Sequence, residues 1–409
     1  MRRDSLADDV ARHRLARRLD SSLAGLDVEP TSPTVVADLD AFDANTADLL
    51  RRASGTPIRV ASKSLRVPAL LERAQSASGF AGVLTYSLPE ALWLVRAGVA
   101  DDVVMGYPSV NRTALRQLVS DERLLEQVTL MVDCADHLDV VDAVRTGLSR
   151  PVRVALDVDA GLRIRGTHVG PRRSPLHTAG QVRALAEEVL RRPGFALVGV
   201  MTYEGQVAGV PDDVPGQAAR SAVVRRMKDA SVLQLARRRG AVAEALRDLT
   251  VLEFWNAGGS GSLETSCADP CVTEVTAGSG LLVPHLFDHY RSFVPRPALF
   301  FGLPVVRKPD SGTATVAGGG LIASGAPGTD RSPLPWAPPG LHLTRLEGAG
   351  EVQTPLRGHG AELLRVGDRV WFRPAKSGEL AEHTHEVHLV RAGRVVGSAR
   401  TYRGLGHAW

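Results

Sequence analysis

Cysteine is scarce: the 409 residues include only Cys134, Cys267 and Cys271. So low and odd a count leaves no disulfide framework and fits a reducing cytoplasm. The run Cys267-Ala-Asp-Pro-Cys271 is spaced too widely for the CxxC of a zinc knuckle. Aromatic residues make up 5% of the chain and do not interleave with basic ones, which argues against nucleic-acid binding. No apolar run approaches the roughly 18 residues of a membrane-spanning helix, so no membrane partner is expected. The N-terminal region carries Arg2, Arg3, Arg14, Arg17 and Arg18 without an apolar stretch, unlike a secretory signal, and Asp4, Asp8 and Asp9 speak against a transit peptide. Charge of one sign is not concentrated either. The net charge is +4 with a pI near 9.2, spread along the chain.

What is present is a globular balance of 44% hydrophobic and 23% charged residues, over a length that favours two domains. Residues 5–19 predict a short amphipathic helix with an arginine-rich exposed face, 34–39 a strand, and Phe42 to Leu50 a helix. Strand patterns then recur at 58–63, 82–86, 102–107, 128–133, 152–158, 197–203, 251–255 and 272–276. Helical patterns lie between most of them, at 67–76, 88–97, 111–119, 136–146, 179–191 and 215–247. This rhythm implies βαβ units and a parallel sheet. Eight strands in sequence predict an α/β fold of the closed (β/α)8 TIM barrel type, with a doubly wound open sheet as the alternative. The rhythm stops near Phe293. Short strands separated by Gly/Pro turns follow, predicting a mainly-β C-terminal domain, and Ser332 to Pro339 reads as an exposed loop. The expected division is a barrel over 40–292 and a second unit made of 1–39 with 293–409. The strand at 34–39 is surplus to the barrel and free to pair with that second unit.

Chemistry is expected at the C-terminal ends of barrel strands. The first strand runs Ile58-Arg59-Val60-Ala61-Ser62-Lys63, and Pro68 opens the helix after it, so Lys63 falls at such an end. Other strand ends are polar and rich in glycine: Asp157-Val158-Asp159-Ala160-Gly161-Leu162-Arg163, Met201-Thr202-Tyr203-Glu204-Gly205, Asn256-Ala257-Gly258-Gly259-Ser260-Gly261-Ser262 and Thr276-Ala277-Gly278-Ser279-Gly280. Two glycine-serine turns after the last strands lie where barrels bind phosphate, because glycine lets backbone N–H groups converge on an anion. With a strand-end lysine, they suggest a phosphate-anchored cofactor held by a Schiff base.

The order of Asp38-Leu39-Asp40 and Asn45, Val60-Ala61-Ser62-Lys63-Ser64, Glu90-Ala91, Tyr203-Glu204-Gly205, Gly258-Gly259-Ser260-Gly261 and Gly278-Ser279 resembles the fold-type III pyridoxal-phosphate enzymes, the alanine racemase-like barrels. Within that group the chain is similar to the D-threonine aldolase and D-serine dehydratase branch, over residues 30–290 and more loosely beyond. The resemblance implies pyridoxal 5'-phosphate (PLP) on Lys63, Tyr203 near its phosphate, and a phosphate cup of Gly259, Ser260, Gly261, Gly278 and Ser279. It also implies an arginine at the pyridine nitrogen, which would keep that nitrogen unprotonated. Arg173 is the first candidate and Arg163 the second. The branch carries a metal-binding pair near the C-terminus. Here His383-Thr384-His385 offers two imidazoles on one face of a strand, suited to a divalent ion such as Zn, Mn or Mg, although the second ligand departs from the branch pattern. Solvated histidines on a polar strand end are the alternative. Lys376 and Glu379 read as turn residues, with a place in the lining of the site as the alternative.

The implied activity is PLP-dependent lysis of D-configured β-hydroxy amino acids, by retro-aldol cleavage or by dehydration with loss of ammonia, with His383 handling the hydroxyl through the metal. Two alternatives stand beside it. A racemase needs a second base, for which Tyr402 is the one tyrosine after residue 290. A non-catalytic PLP carrier of this type would lack the C-terminal β domain. The expected partners are a small amino acid substrate and a second copy of the chain in a homodimer.

Overall fold

The structure, a computed structural model, describes residues 2–26, 32–145, 147 and 150–409, with side chains from residue 8. In chain order the first strands are β1 (Thr34–Asp38), β2 (Ile58–Ala61), β3 (Phe80–Thr85), β4 (Val103–Met105), β5 (Val128–Val132) and β6 (Val152–Asp157). A small hairpin, β7 (Leu162–Ile164) and β8 (Thr167–Val169), interrupts the rhythm before β9 (Phe195–Thr202), β10 (Phe254–Ala257) and β11 (Glu274–Ala277). Strands β2 to β6 and β9 to β11 close into one parallel eight-stranded barrel, β11 pairing back onto β2. The open sheet is thereby excluded. These strands read as apolar runs because parallel strands are covered on both faces. Val104, Met131, Ala155, Val198, Met201 and Phe254 form one cluster, and Gly199 is required beside it: a Cβ there would lie 2.3 Å from the Phe254 ring. Near the N-terminal end of the barrel the buried Arg59 guanidinium donates to both Glu274 oxygens (2.8 Å each) and to Asp102 (2.9 Å). The bidentate contact satisfies a charge that would be costly to bury unpaired.

The remaining strands are β12 (Leu299–Asp310), β13 (Thr313–Ala317), β14 (Leu334–Ala337), β15 (His342–Leu343), β16 (Gln353–Arg357), β17 (Arg369–Arg373), β18 (Glu386–Arg391) and β19 (Arg394–Arg400). With β1 they make a single nine-stranded sheet. The surplus first strand does pair there, antiparallel to β12 and parallel to β18. Helix α1 (Arg2–Leu23) covers this sheet, laying Ala16, Leu19 and Leu23 against Val36, Phe300 and Trp371. Burying Leu19 or Leu23 contributes about 1.5–3 kcal/mol each. The segment Ser332–Pro339, read as an exposed loop, is instead partly ordered as β14 on β17. Its Ala337 enters the second core, and proline is tolerated where a strand lies at a sheet edge. No helix among the described residues is long and apolar enough to cross a membrane, and the three cysteines are unpaired.

Candidate active site

Strand β2 ends at Ala61, two residues earlier than its pattern suggests, and Lys63 sits on the 3-10 turn Ser62–Ser64. The amides of Leu65 and Arg66 both donate to Ser62 O at 2.9 Å, which tightens the turn and aims Lys63 across the barrel mouth. Its Nζ donates to Tyr107 Oη at 3.3 Å. The C-terminal sheet clamps the same turn from outside. Ser377 Oγ donates to Ser64 O (2.8 Å) and the Tyr402 amide to Arg66 O (2.9 Å). Gly378 lies so close that a Cβ would come within 1.8 Å of Lys63 O.

Lys63 opens into an inner cavity of about 140 Å³. Gly259, Ser260, Gly278 and Ser279 line it on one side, and Tyr107, Arg173 and Tyr203 on another. The two glycine-serine loops are fixed to each other. Ser260 Oγ accepts from the Gly280 amide (2.8 Å), and Ser64 and Ser279 hydroxyls meet at 3.1 Å. Behind the first loop the buried Glu204 carboxylate accepts from Gly258 N (3.2 Å), Ser262 Oγ (3.0 Å), Ser266 Oγ and Arg239 Nη2 (3.1 Å). Gly258 needs its φ of +80°, and at Gly259 a Cβ would strike Ala208. Asn256 and Thr276 share a polar wall, Asn256 Nδ2 donating to Thr276 Oγ1 and to Glu274 Oε1 at 2.8 Å each. A lysine, a cup of glycine and serine residues and aromatic walls around one cavity fit a phosphate-bearing aldehyde such as PLP.

Most of the residues expected from the sequence converge here; Gly261, Arg163, His383 and His385 do not. Gly261 packs behind the loop, where a Cβ would meet Ala208 O and the Tyr290 ring. Of the two arginines, Arg173 enters the inner cavity, its guanidinium 5.4 Å from the Tyr107 ring centre and 5.7 Å from that of Tyr203. Arg163 instead lies on the β7–β8 hairpin and donates to Asp159 at 3.2 Å. Burial pushes the Tyr203 phenol up to about 12. Burial, with Asp133 nearby, pushes Asp157 up to about 7, against the opposing charge of Arg173.

His383 and His385 are exposed and lie on bends before β18 begins at Glu386, so they do not share a strand face. The strand pattern fails there because Ser377–Leu380 forms a helical turn whose exit, with His383 N donating to Leu380 O, delays the strand. Neither histidine lines a cavity with Lys63. Among the described residues the one three-ligand group of suitable spacing is Asp133, Cys134 and His137, where His137 Nδ1 already accepts from the Asp133 amide. The donors at the mouth therefore do not fit a metal acting beside Lys63.

Two features went unassigned in the sequence, and a third takes the alternative given for it. Tyr107 lies two residues past the short strand β4, and the strand-end rule that picked out Lys63 could have found it. Glu204 and Arg239 form the support under the cup, through contacts 35 residues apart. Lys376 and Glu379, read as turn residues, line an outer cavity of about 1090 Å³ that also includes Lys63 and Tyr203.

Residues 37–281 match the family described as alanine racemase, N-terminal domain. No curated protein matches the sequence. Among solved structures, D-threonine aldolase from Filomicrobium marinum superposes with a TM-score of 0.77 at 22% identity, over 91% of this chain and 95% of that one. D-threo-3-hydroxyaspartate dehydratase from Delftia sp. HT23 gives 0.72 at 21% identity, over 95% and 100%. Alanine racemase from Bacillus anthracis gives 0.60 at 16% identity, over 91% and 98%. A variant of a D-threo-3-hydroxyaspartate dehydratase is known in a metal-free form. These likenesses establish the shared fold.

Proposed function

The chain belongs to the alanine racemase N-terminal domain family, and on that premise we propose that it is a PLP-dependent lyase of D-configured β-hydroxy amino acids. The observation that carries this is Lys63, fixed at a barrel strand end and facing a cup built from two glycine-serine loops. Fold neighbours that include a D-threonine aldolase and a D-threo-3-hydroxyaspartate dehydratase support it. PLP would be held by Lys63 through its aldehyde and by Gly259, Ser260, Gly278 and Ser279 through its phosphate. Bound there, it supplies a carbonyl for the substrate amine and a ring that accepts the electrons of a bond broken at Cα.

The side chains divide the remaining work. Lys63 moves the proton at Cα when the reaction is a dehydration. Tyr107, in contact with Lys63 Nζ, orients the amine, and the walls of Tyr107 and Tyr203 exclude water from the reacting face. Arg173 sits between those rings, a fixed positive charge toward the inner cavity.

The racemase alternative needs a second base reaching the substrate. Tyr402 is 1% exposed, packed edge-on against Trp93 with ring centres 5.4 Å apart, and lines neither cavity. We expect the protein to work as a homodimer in the cytoplasm. The test is a panel of D-amino acids with product analysis. Glycine plus an aldehyde, or a keto acid plus ammonia, supports the lyase; the other enantiomer as product would replace it with a racemase.

A further inference from the structure

The outer cavity is lined both by residues of the barrel mouth, Lys63 among them, and by the C-terminal segment Lys376–Glu379. Any amino acid whose amine is at Lys63 carries a carboxylate on the adjoining carbon. That anion cannot be left without a partner in a cavity partly closed to water. Lys376 enters this cavity on the loop that clamps the Lys63 turn through Ser377 and Gly378, so its position is tied to that of the reacting lysine. Its Nζ donates to Ser324 Oγ at 2.7 Å and lies 3.4 Å from Glu379 Oε1. Ser324 in turn donates to Glu379 through its amide at 2.8 Å and its hydroxyl at 2.5 Å. An ammonium has three N–H donors, so two contacts hold the head and one donor is left for a ligand. Three arginines line the cavity as well: Arg66 is already engaged by Glu382 at 2.6 Å and by Lys63 O at 3.3 Å, Arg220 donates to Gln217 Oε1 at 2.8 Å, and Arg331 lies 3.6 Å from Asp330. The composition points the same way. Of 49 basic residues only four are lysines, Lys63, Lys228, Lys308 and Lys376, and two of the four face this one cavity.

We propose that Lys376, oriented by Ser324 and Glu379, binds the α-carboxylate of the amino acid substrate. The proposal rests on the PLP reading above and deepens it. A side-chain cation stands at the mouth, in a cavity that His383 and His385 do not line.

The test is a spectral titration of the PLP-loaded protein with D-alanine and with D-alaninamide, which has the amine but no carboxylate. Lys376→Met is expected to weaken D-alanine binding by about tenfold or more, the usual effect of losing a charge-assisted hydrogen bond, and to leave D-alaninamide within about twofold. Lys376→Arg is expected to restore part of the loss. A Lys376→Met protein that keeps the wild-type ratio of the two affinities overturns the proposal, as does one that loses both ligands equally. In either case an unaltered cofactor absorbance leaves the PLP reading standing. A wild-type protein that takes up no PLP overturns both.

Discussion

Gly378→Ala probes the contact between the C-terminal sheet and the Lys63 turn. A Cβ at Gly378 would lie 1.8 Å from Lys63 O, 2.8 Å from Lys63 C and 3.1 Å from Ser64 C. All three are backbone atoms, so no side chain can swing aside. Real Cβ contacts are essentially never closer than 3.0 Å, so loop and turn must separate by at least 1.2 Å (3.0 minus 1.8). That shift stretches the 2.8 Å bond from Ser377 Oγ to Ser64 O and frees the Lys63 turn from its outer support. Overpacking of this kind costs about 1–3 kcal/mol, and a displacement near 1 Å at a reacting group costs far more in rate than in stability. Gly240→Ala is the matched control, since its Cβ meets nothing within 4 Å and it lies inside the helix Ala218–Leu246. There alanine should add about 0.5–1 kcal/mol. Urea unfolding gives the stabilities, and absorbance of the PLP-loaded protein reports the state of Lys63. The expected result is opposite signs for the two alanines, with altered cofactor absorbance only in Gly378→Ala. A Gly378→Ala protein as stable as wild type, with normal cofactor absorbance, would refute the clamp.

Three further outcomes can be checked. Burial pushes Glu90 from 4.5 up to about 7. Between about pH 4.5 and 7 the native state therefore keeps a proton that the unfolded state has released. This contribution destabilises increasingly as pH rises and is complete above 7. Glu90→Gln should remove that slope in urea unfolding curves and stabilise the protein at pH 8 by at most about 3 kcal/mol; a slope identical to wild type would contradict the burial argument. Exhaustive chelation with EDTA should leave turnover unchanged, and so should His383→Ala. Loss of activity on chelation that a divalent ion restores would contradict this reading of the mouth. Glu204→Gln should weaken PLP affinity, read by cofactor release on dialysis, because Gly258 N, Ser262 and Ser266 lose a charged acceptor. Undiminished retention of PLP would separate the Glu204 network from the cup.

The barrel was legible in the sequence because each strand is a short apolar run and each helix has its own period, both local signals. The strand-end rule then sufficed for Lys63, Tyr203 and the two glycine-serine loops, whose special backbone shows directly as glycine. The choice between Arg173 and Arg163 could not be made locally, since the hairpin Leu162–Val169 decides which one turns inward. The mouth was the least legible part. Ser377 meets Ser64 across 313 residues, and no periodicity announces a contact of that span. Tyr402 illustrates the same limit: its composition suits a catalytic base, while packing against Trp93 and Trp409 buries it. His383 and His385 failed for a smaller reason, the two or three residues by which the strand starts late.

The central claim, a cofactor bound covalently to the lysine at the end of β2, is tested most directly by reducing the PLP-loaded protein with borohydride and mapping the modified peptide by mass spectrometry. With only four lysines in the chain the result is unambiguous. A pyridoxyl group is expected on Lys63 alone, absent in Lys63→Ala. A pyridoxyl group on Lys376, Lys228 or Lys308, or no adduct in a protein loaded with PLP, would contradict it.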